Sequence, residues 1–127
     1  MRVLIDTQAL FWWYSDPVKL SRRAASTIND GSNTVLISAA AAWELSIKSA
    51  LGKLDAIPWV LELGSYLREE GFIELPISIS QATRAGLLPS HHKDPFDRLL
   101  VAQAQELSIP IVSSDRLLDR YGILRLW

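Results

Sequence analysis

The chain contains no cysteine, which removes disulfides and thiolate metal sites together. It has no surplus of charge either: 13 Lys and Arg against 14 Asp and Glu leave a net charge of −1. Proteins that grip polyanions by bulk positive charge carry a different balance. Any affinity for phosphate must therefore reside in a local site. Long apolar runs are missing too. The longest, Val35 to Trp43, is interrupted by Ser38 and falls well short of the roughly 20 residues that span a bilayer. Asp6 breaks the first apolar stretch, so the N-terminus does not read as a signal peptide. No repeat or low-complexity tract appears. These absences lead to the expectation of a cytoplasmic protein, with residues 1–127 as one domain.

What is present is a core. Hydrophobic residues make up 49% of the 127, arranged in short β-branched runs separated by helical patterns. Val3-Leu4-Ile5 reads as a buried parallel strand. Ala9 to Tyr14 reads as a helix ended by Asp16-Pro17, and Ser21 caps another that runs to Asn29. Thr34 to Ile37 is a strand, with Ser38 as N-cap of a helix through Leu51 whose buried face carries Trp43, Ile47, Ala50 and Leu51. Ile57, Val60, Leu61, Gly64 and Leu67 mark one further helix closed by Gly71. Then follow a strand at Phe72 to Leu75, a short helix over Ser80 to Leu87, and a helix from Pro95 to Leu107 capped by Asp94. A strand at Ile109 to Val112, a short helix beginning at Ser114 or Asp115, and a strand at Ile123 to Leu126 complete the chain. The alternation predicts an α/β fold of three layers, with a mostly parallel sheet of about five strands and helices on both faces.

Four acidic residues stand out, and each also has an ordinary structural explanation. Asp6 follows three apolar residues directly, where a carboxylate needs a partner, but it can also cap a helix. Glu44 can pair with Lys48 at i, i+4. Asp97 sits three positions after Asp94, at N3, where a carboxylate can bond the cap N–H, but capping explains Asp94 fully and Asp97 only in part. Asp115 can be an N-cap, although Ser113 or Ser114 could serve instead. Ligands in parallel α/β sheets bind at the carboxyl ends of the strands, which brings at least Asp6 and Asp115 to one rim. Converging carboxylates repel, and a divalent cation is the natural compensation. All-oxygen ligation suits Mg²⁺ or Mn²⁺ rather than Zn²⁺.

In order, these residues resemble the PIN-domain nucleases, and most of all the VapC-type toxins of type II toxin–antitoxin pairs. The matching segments are Leu4 to Leu10 with Trp12-Trp13; Ile37 to Ala40 leading to Ala42-Trp43-Glu44; Gly52-Lys53-Leu54; Leu88-Pro89 with His91-His92; Asp94-Pro95-Phe96-Asp97-Arg98; and Val112 to Asp115. The resemblance implies a Mg²⁺-dependent endoribonuclease with metal-site roles for Asp6, Glu44, Asp97 and Asp115. It implies a hydroxyl at Ser113 that orients water or phosphate, a homodimer, and silencing by a cognate antitoxin that occludes the acidic site. Gln8 stands where many relatives carry histidine or another polar residue. In the scheme that follows, Asp6 and Asp97 hold the metal most directly, Asp115 and Glu44 bind through water or complete the site, and an acid not tied to the metal, Glu44 by preference, takes a proton from water.

Arg98 and Arg116 directly follow two of the acids and are candidate contacts to RNA phosphates. His91 and His92 are adjacent in a predicted loop and are expected to be polar loop or RNA-contacting residues rather than metal ligands. Of the five tryptophans, Trp12 and Trp13 point about 100° apart on one helix, so one of them is expected to face a partner. Three other functions deserve weighing. One is a PIN nuclease of RNA processing without a toxin role. Another is a phosphoryl-transfer enzyme, but Asp6-Thr7-Gln8 lacks the second acid of an Asp-x-Asp motif. The last is a binding module with a degenerate acidic rim, against which all four acids are present.

Overall fold

The computed structural model describes residues 1–127. The chain runs β1 (Arg2–Ile5), α1 (Thr7–Ser15), α2 (Arg22–Asn29), β2 (Thr34–Ser38), α3 (Ala39–Ala50), α4 (Ile57–Leu61), α5 (Leu63–Glu69), β3 (Ile73–Leu75), α6 (Ile79–Leu87), α7 (Pro95–Leu107), β4 (Ile111–Val112) and β5 (Arg125–Leu126). Short 3₁₀ turns occupy Pro17–Lys19 and Arg116–Tyr121. The five strands form one sheet in the order β3-β2-β1-β4-β5, and every neighbouring pair is parallel. No helix is long and apolar enough to cross a membrane.

Strand alternation divides the core in two. Val3, Ile5, Val35, Ile37 and Val112 face a cluster built with Leu10 of α1, Ile28 of α2, Leu45 of α3, Trp59 of α4 and Leu67 of α5. Leu4, Leu36 and Ile111 face the opposite way, onto Leu100, Val101 and Ala104 of α7 and onto Leu118 and Tyr121. Apolar side chains on both faces of β1 require helices on both faces, hence three layers. Each fully buried side chain of this kind, such as Leu4 or Ile5, stabilises the fold by about 1.5–3 kcal/mol.

The structure corrects three expectations. The buried face of α3 carries Ala40, Ala41, Glu44, Leu45 and Ser49, while Trp43 and Leu51 are exposed. The reason lies at the entry to the helix. Ser38 ends β2 and caps α3 with no loop between them, its Oγ accepting the Ala40 N–H at 3.0 Å. The helix therefore starts tight against the sheet, where only the small side chains of Ala40 and Ala41 fit. Adding four residues to each reaches Glu44 and Leu45. Trp43 instead meets Phe96 of α7 edge to face, 5.2 Å between ring centres. Second, the helix expected across Ile57 to Leu67 is two helices, α4 and α5, with Glu62 in non-helical backbone between them. Trp59, Leu63 and Leu67 point inward and Leu61 outward. Third, Trp12 and Trp13 do not divide into one buried and one outward side chain. Both are half-buried, Trp12 against Trp127 and Trp13 against Phe72.

Candidate active site

The chain crosses from β1 to β2 and β3 on one side of the sheet, and β4 and β5 lie on the other. Such a reversal opens a crevice beyond the carboxyl ends of the two central strands. Asp6 is the first residue past β1 and stands in that crevice. Its N–H still bonds the Val112 carbonyl of β4 at 3.1 Å. Its side chain caps α1, Oδ1 accepting from the Ala9 N–H at 2.8 Å. One oxygen therefore serves the helix while the other remains for the crevice.

The other acids arrive on separate elements. Glu44 projects from α3, which packs against both α1 and α7. Its Oε2 accepts a 2.7 Å bond from Lys48, and its Oε1 is buried without a partner. Asp94 caps α7, taking the N–H groups of Phe96 and Asp97 on one oxygen. That leaves the Asp97 side chain free of capping duty. Asp115 caps the 3₁₀ turn after β4 through Leu117 N–H at 3.0 Å. Asp6, Glu44, Asp94, Asp97, Asp115 and Lys48 share the wall of one cavity of about 250 Å³.

Burial and crowding set the electrostatics. Asp6 is only 5% exposed, and loss of water raises its pKa to about 6, opposed by Ser113 and the Ala9 N–H and reinforced by Glu44 and Asp115. Asp97 is pushed to about 7, chiefly by burial and then by Asp94, with Asp6 and Glu44 adding to it and His92 opposing. The Glu44 carboxylate holds the Lys48 ammonium above its ordinary range. Five carboxylates thus line a space in which Lys48 is the one lysine or arginine. The orphaned Glu44 Oε1, and the buried, unpartnered Thr7 Oγ1 on the same wall, are oxygens whose lone pairs receive no hydrogen bond. This donor set fits a divalent cation.

The structure brings together all four acids singled out in the sequence. Ser113 is fully buried behind Asp6, and its Oγ accepts the Asp115 N–H at 3.0 Å. Gln8 is exposed at the cavity mouth, and Arg116 is exposed beside Asp115. Arg98 requires correction as a phosphate contact. Its guanidinium donates instead to the carbonyls of Gly86, Leu88, Pro89 and His92, four of its five N–H groups being committed to the end of α6 and the loop before α7. His92 is the residue that sequence reasoning underweighted. Its Nε2 lies 2.7 Å from Asp115 Oδ2 and 3.2 Å from Asp97 Oδ2. His91, its neighbour, packs against the Tyr121 ring outside the cluster. The available signal was the position of His92 two residues before the cap of α7.

The PIN domain pattern matches residues 3–124 of the chain. The chain is 32% identical over 119 residues to Ribonuclease VapC22 of Mycobacterium tuberculosis, covering 90% of this chain and 87% of that one. The chain therefore belongs to the PIN-domain family. Its fold is similar to that of the DNA-bound VapBC of Salmonella typhimurium, with TM-score 0.74, 16% identity, and 98% of this chain and 96% of that one covered. It is also similar to VapBC-1 of nontypeable Haemophilus influenzae, with TM-score 0.71, 13% identity and coverage of 98% and 96%.

Proposed function

We propose that residues 1–127 form a PIN domain that acts as a metal-dependent endoribonuclease, the toxin of a type II toxin–antitoxin pair in the cytoplasm. The observation that carries this reading is the convergence of Asp6, Glu44, Asp97 and Asp115 on one cavity at the β1/β4 reversal. Kinship with Ribonuclease VapC22 across nine-tenths of the chain supports the toxin role and the choice of RNA.

We assign Mg²⁺ to the site, with Mn²⁺ as its ready substitute. Asp6 and Asp97 would hold it most directly, with Asp115 completing the set and Glu44 reaching it through water. A divalent cation there supplies Lewis-acid polarisation of a phosphoryl oxygen and a more acidic water. The chain does the rest. Glu44 Oε1, with Oε2 tied to Lys48, is placed to accept a proton from water. Ser113 supports Asp6 and the Asp115 backbone from behind, and exposed Arg116 offers a fork of donors to a phosphate. A cognate antitoxin that covers the acidic cavity silences the enzyme, and the active form is a homodimer.

The test is RNA cleavage by purified, antitoxin-free protein in Mg²⁺ and in EDTA, alongside Asp6→Asn and Asp97→Asn. The expected result is cleavage only by wild type with Mg²⁺. Full cleavage in EDTA overturns the metal requirement, and full activity of either variant removes that residue from the site.

A further inference from the structure

We propose that His92 is a positioning residue: a fixed Nε2–H donor that clamps Asp97 and Asp115 into one pair of carboxylates facing the cation. The inference rests on the metal site proposed above.

The tautomer follows from geometry. Nδ1 of His92 accepts the Asp94 N–H at 3.1 Å, so it carries no hydrogen of its own, and in the neutral ring the hydrogen is on Nε2. That hydrogen is donated to Asp115 Oδ2 at 2.7 Å, and Asp97 Oδ2 lies 3.2 Å from the same nitrogen. For Nε2 to ligate a metal, the neutral ring would have to carry its hydrogen on Nδ1. Two N–H groups would then face each other across 3.1 Å, and Asp94 cannot turn aside because it caps α7. His92 is therefore a donor to carboxylates, not a ligand.

The loop between α6 and α7 is held so as to present this ring. The His92 N–H bonds the Tyr121 hydroxyl at 2.8 Å, and that hydroxyl donates to the Pro89 carbonyl at 2.7 Å. The His92 carbonyl accepts from Arg98 at 3.1 Å, and the same guanidinium holds the carbonyls of Gly86, Leu88 and Pro89. The backbone is thus tied on both sides of one imidazole that is 12% exposed. Asp115 is pinned through both oxygens, Oδ1 by Leu117 N–H and Oδ2 by His92. Asp97 turns one oxygen, Oδ2, toward the same nitrogen, leaving the other for the cation. Donors that orient metal-binding side chains typically contribute about 10–100-fold to metal affinity.

Calorimetric titration of Mn²⁺ without RNA tests the inference, on wild type, His92→Gln and His92→Leu. The Gln amide can place a donor N–H near the Nε2 position, whereas Leu fills the space and donates nothing. Expected are an affinity for His92→Gln within about threefold of wild type and one for His92→Leu about 10–100-fold weaker, with cleavage by His92→Leu recovering at high Mn²⁺. Wild-type affinity in His92→Leu overturns the clamp, as does equal loss in both variants. Should His92→Leu fail to fold, Tyr121→Phe serves in its place: it keeps the ring but frees the loop, and wild-type affinity there also overturns the clamp. Failure of wild type itself to bind Mn²⁺ would instead remove the metal-site reading on which the inference rests.

Discussion

Ile5 and Val112 are register partners in the parallel ladder between β1 and β4. The residues that follow them, Asp6 and Ser113, therefore leave the sheet side by side, at the place where the chain's crossovers change sides. Asp6 accepts there from the Ala9 N–H, with Ser113 beside it. The fold holds a carboxylate in a position whose natural occupant is the neutral acid or a metal-bound anion.

Replacing Asp6 with Asn should make the metal-free protein more stable while abolishing cleavage. Asn keeps the capping oxygen for Ala9 and removes the buried charge. The pKa of Asp6 is raised from 3.8 to about 6, which corresponds to a penalty on the order of 2–3 kcal/mol at neutral pH. Denaturant unfolding in EDTA should show a gain of roughly 1–3 kcal/mol at pH 7.5, shrinking to nothing near pH 4. A loss of stability at pH 7.5 would contradict the burial argument.

The same groups set a pH slope. Asp6 and Asp97 both titrate above the ordinary carboxylate value, near 6 and 7. Between about pH 4 and 7 the folded state therefore holds more protons at these sites than the unfolded state, and their contribution makes stability fall as pH rises through that window. Divalent cation binds the ionised form and competes with protons. In differential scanning fluorimetry, the rise in melting temperature on adding Mg²⁺ should be several-fold larger at pH 8 than at pH 5. Equal rises would mean that these two carboxylates do not take part in binding.

Parts of this site could be read from the sequence because their cause is local. Asp6 directly follows an apolar strand, Asp115 comes just after another, and Asp97 lies next to a cap that is already satisfied. Glu44 was harder to read. Its i, i+4 pair with Lys48 looks like an ordinary surface pair, and the pair does form. What turns Glu44 into the cavity is burial, which depends on the rotation of α3, and that rotation is set by Ala40 and Ala41 against the sheet rather than by the bulky Trp43. His92 shows the limit most clearly. Its partners Asp115 and Tyr121 lie 23 and 29 residues away in the chain, and nothing within its own loop announces them. The break at Glu62 was hidden as well, because Val60, Gly64 and Leu67 mimic one continuous helical face.

Arg98 and Arg116 should separate cleanly in binding experiments, although both directly follow an acid in the sequence. Arg98 is occupied by carbonyls of α6 and of the loop after it, two of these bonds being exposed, so solvent reduces their sum well below the value of about 1.5–3 kcal/mol apiece for buried charge-assisted bonds. Arg98→Ala should lower stability by about 1–3 kcal/mol and leave the salt dependence of RNA binding unchanged. Arg116→Ala should leave stability within about 0.5 kcal/mol of wild type and reduce the salt slope of binding by about one. Affinity measured across a range of KCl, with inactive Asp6→Asn as background, distinguishes them. The reverse pattern would restore Arg98 as a phosphate contact.

The rotation of α3 has its own test, in two large residues two positions apart. Leu45 is 1% exposed within the core, whereas Trp43 is 60% exposed and touches Phe96 only edge to face. Leu45→Ala should cost about 2–5 kcal/mol, the transfer loss plus the cavity left behind. Trp43→Ala removes the larger side chain but should cost no more than about 1.5 kcal/mol, the upper range for an aromatic pair beyond its burial. If Trp43→Ala proved the more damaging, α3 would be turned by about 100° per residue of error, and Glu44 would leave the cavity with it. The stability ranking of these two variants is therefore also a measurement of where Glu44 points, made without metal, RNA or activity.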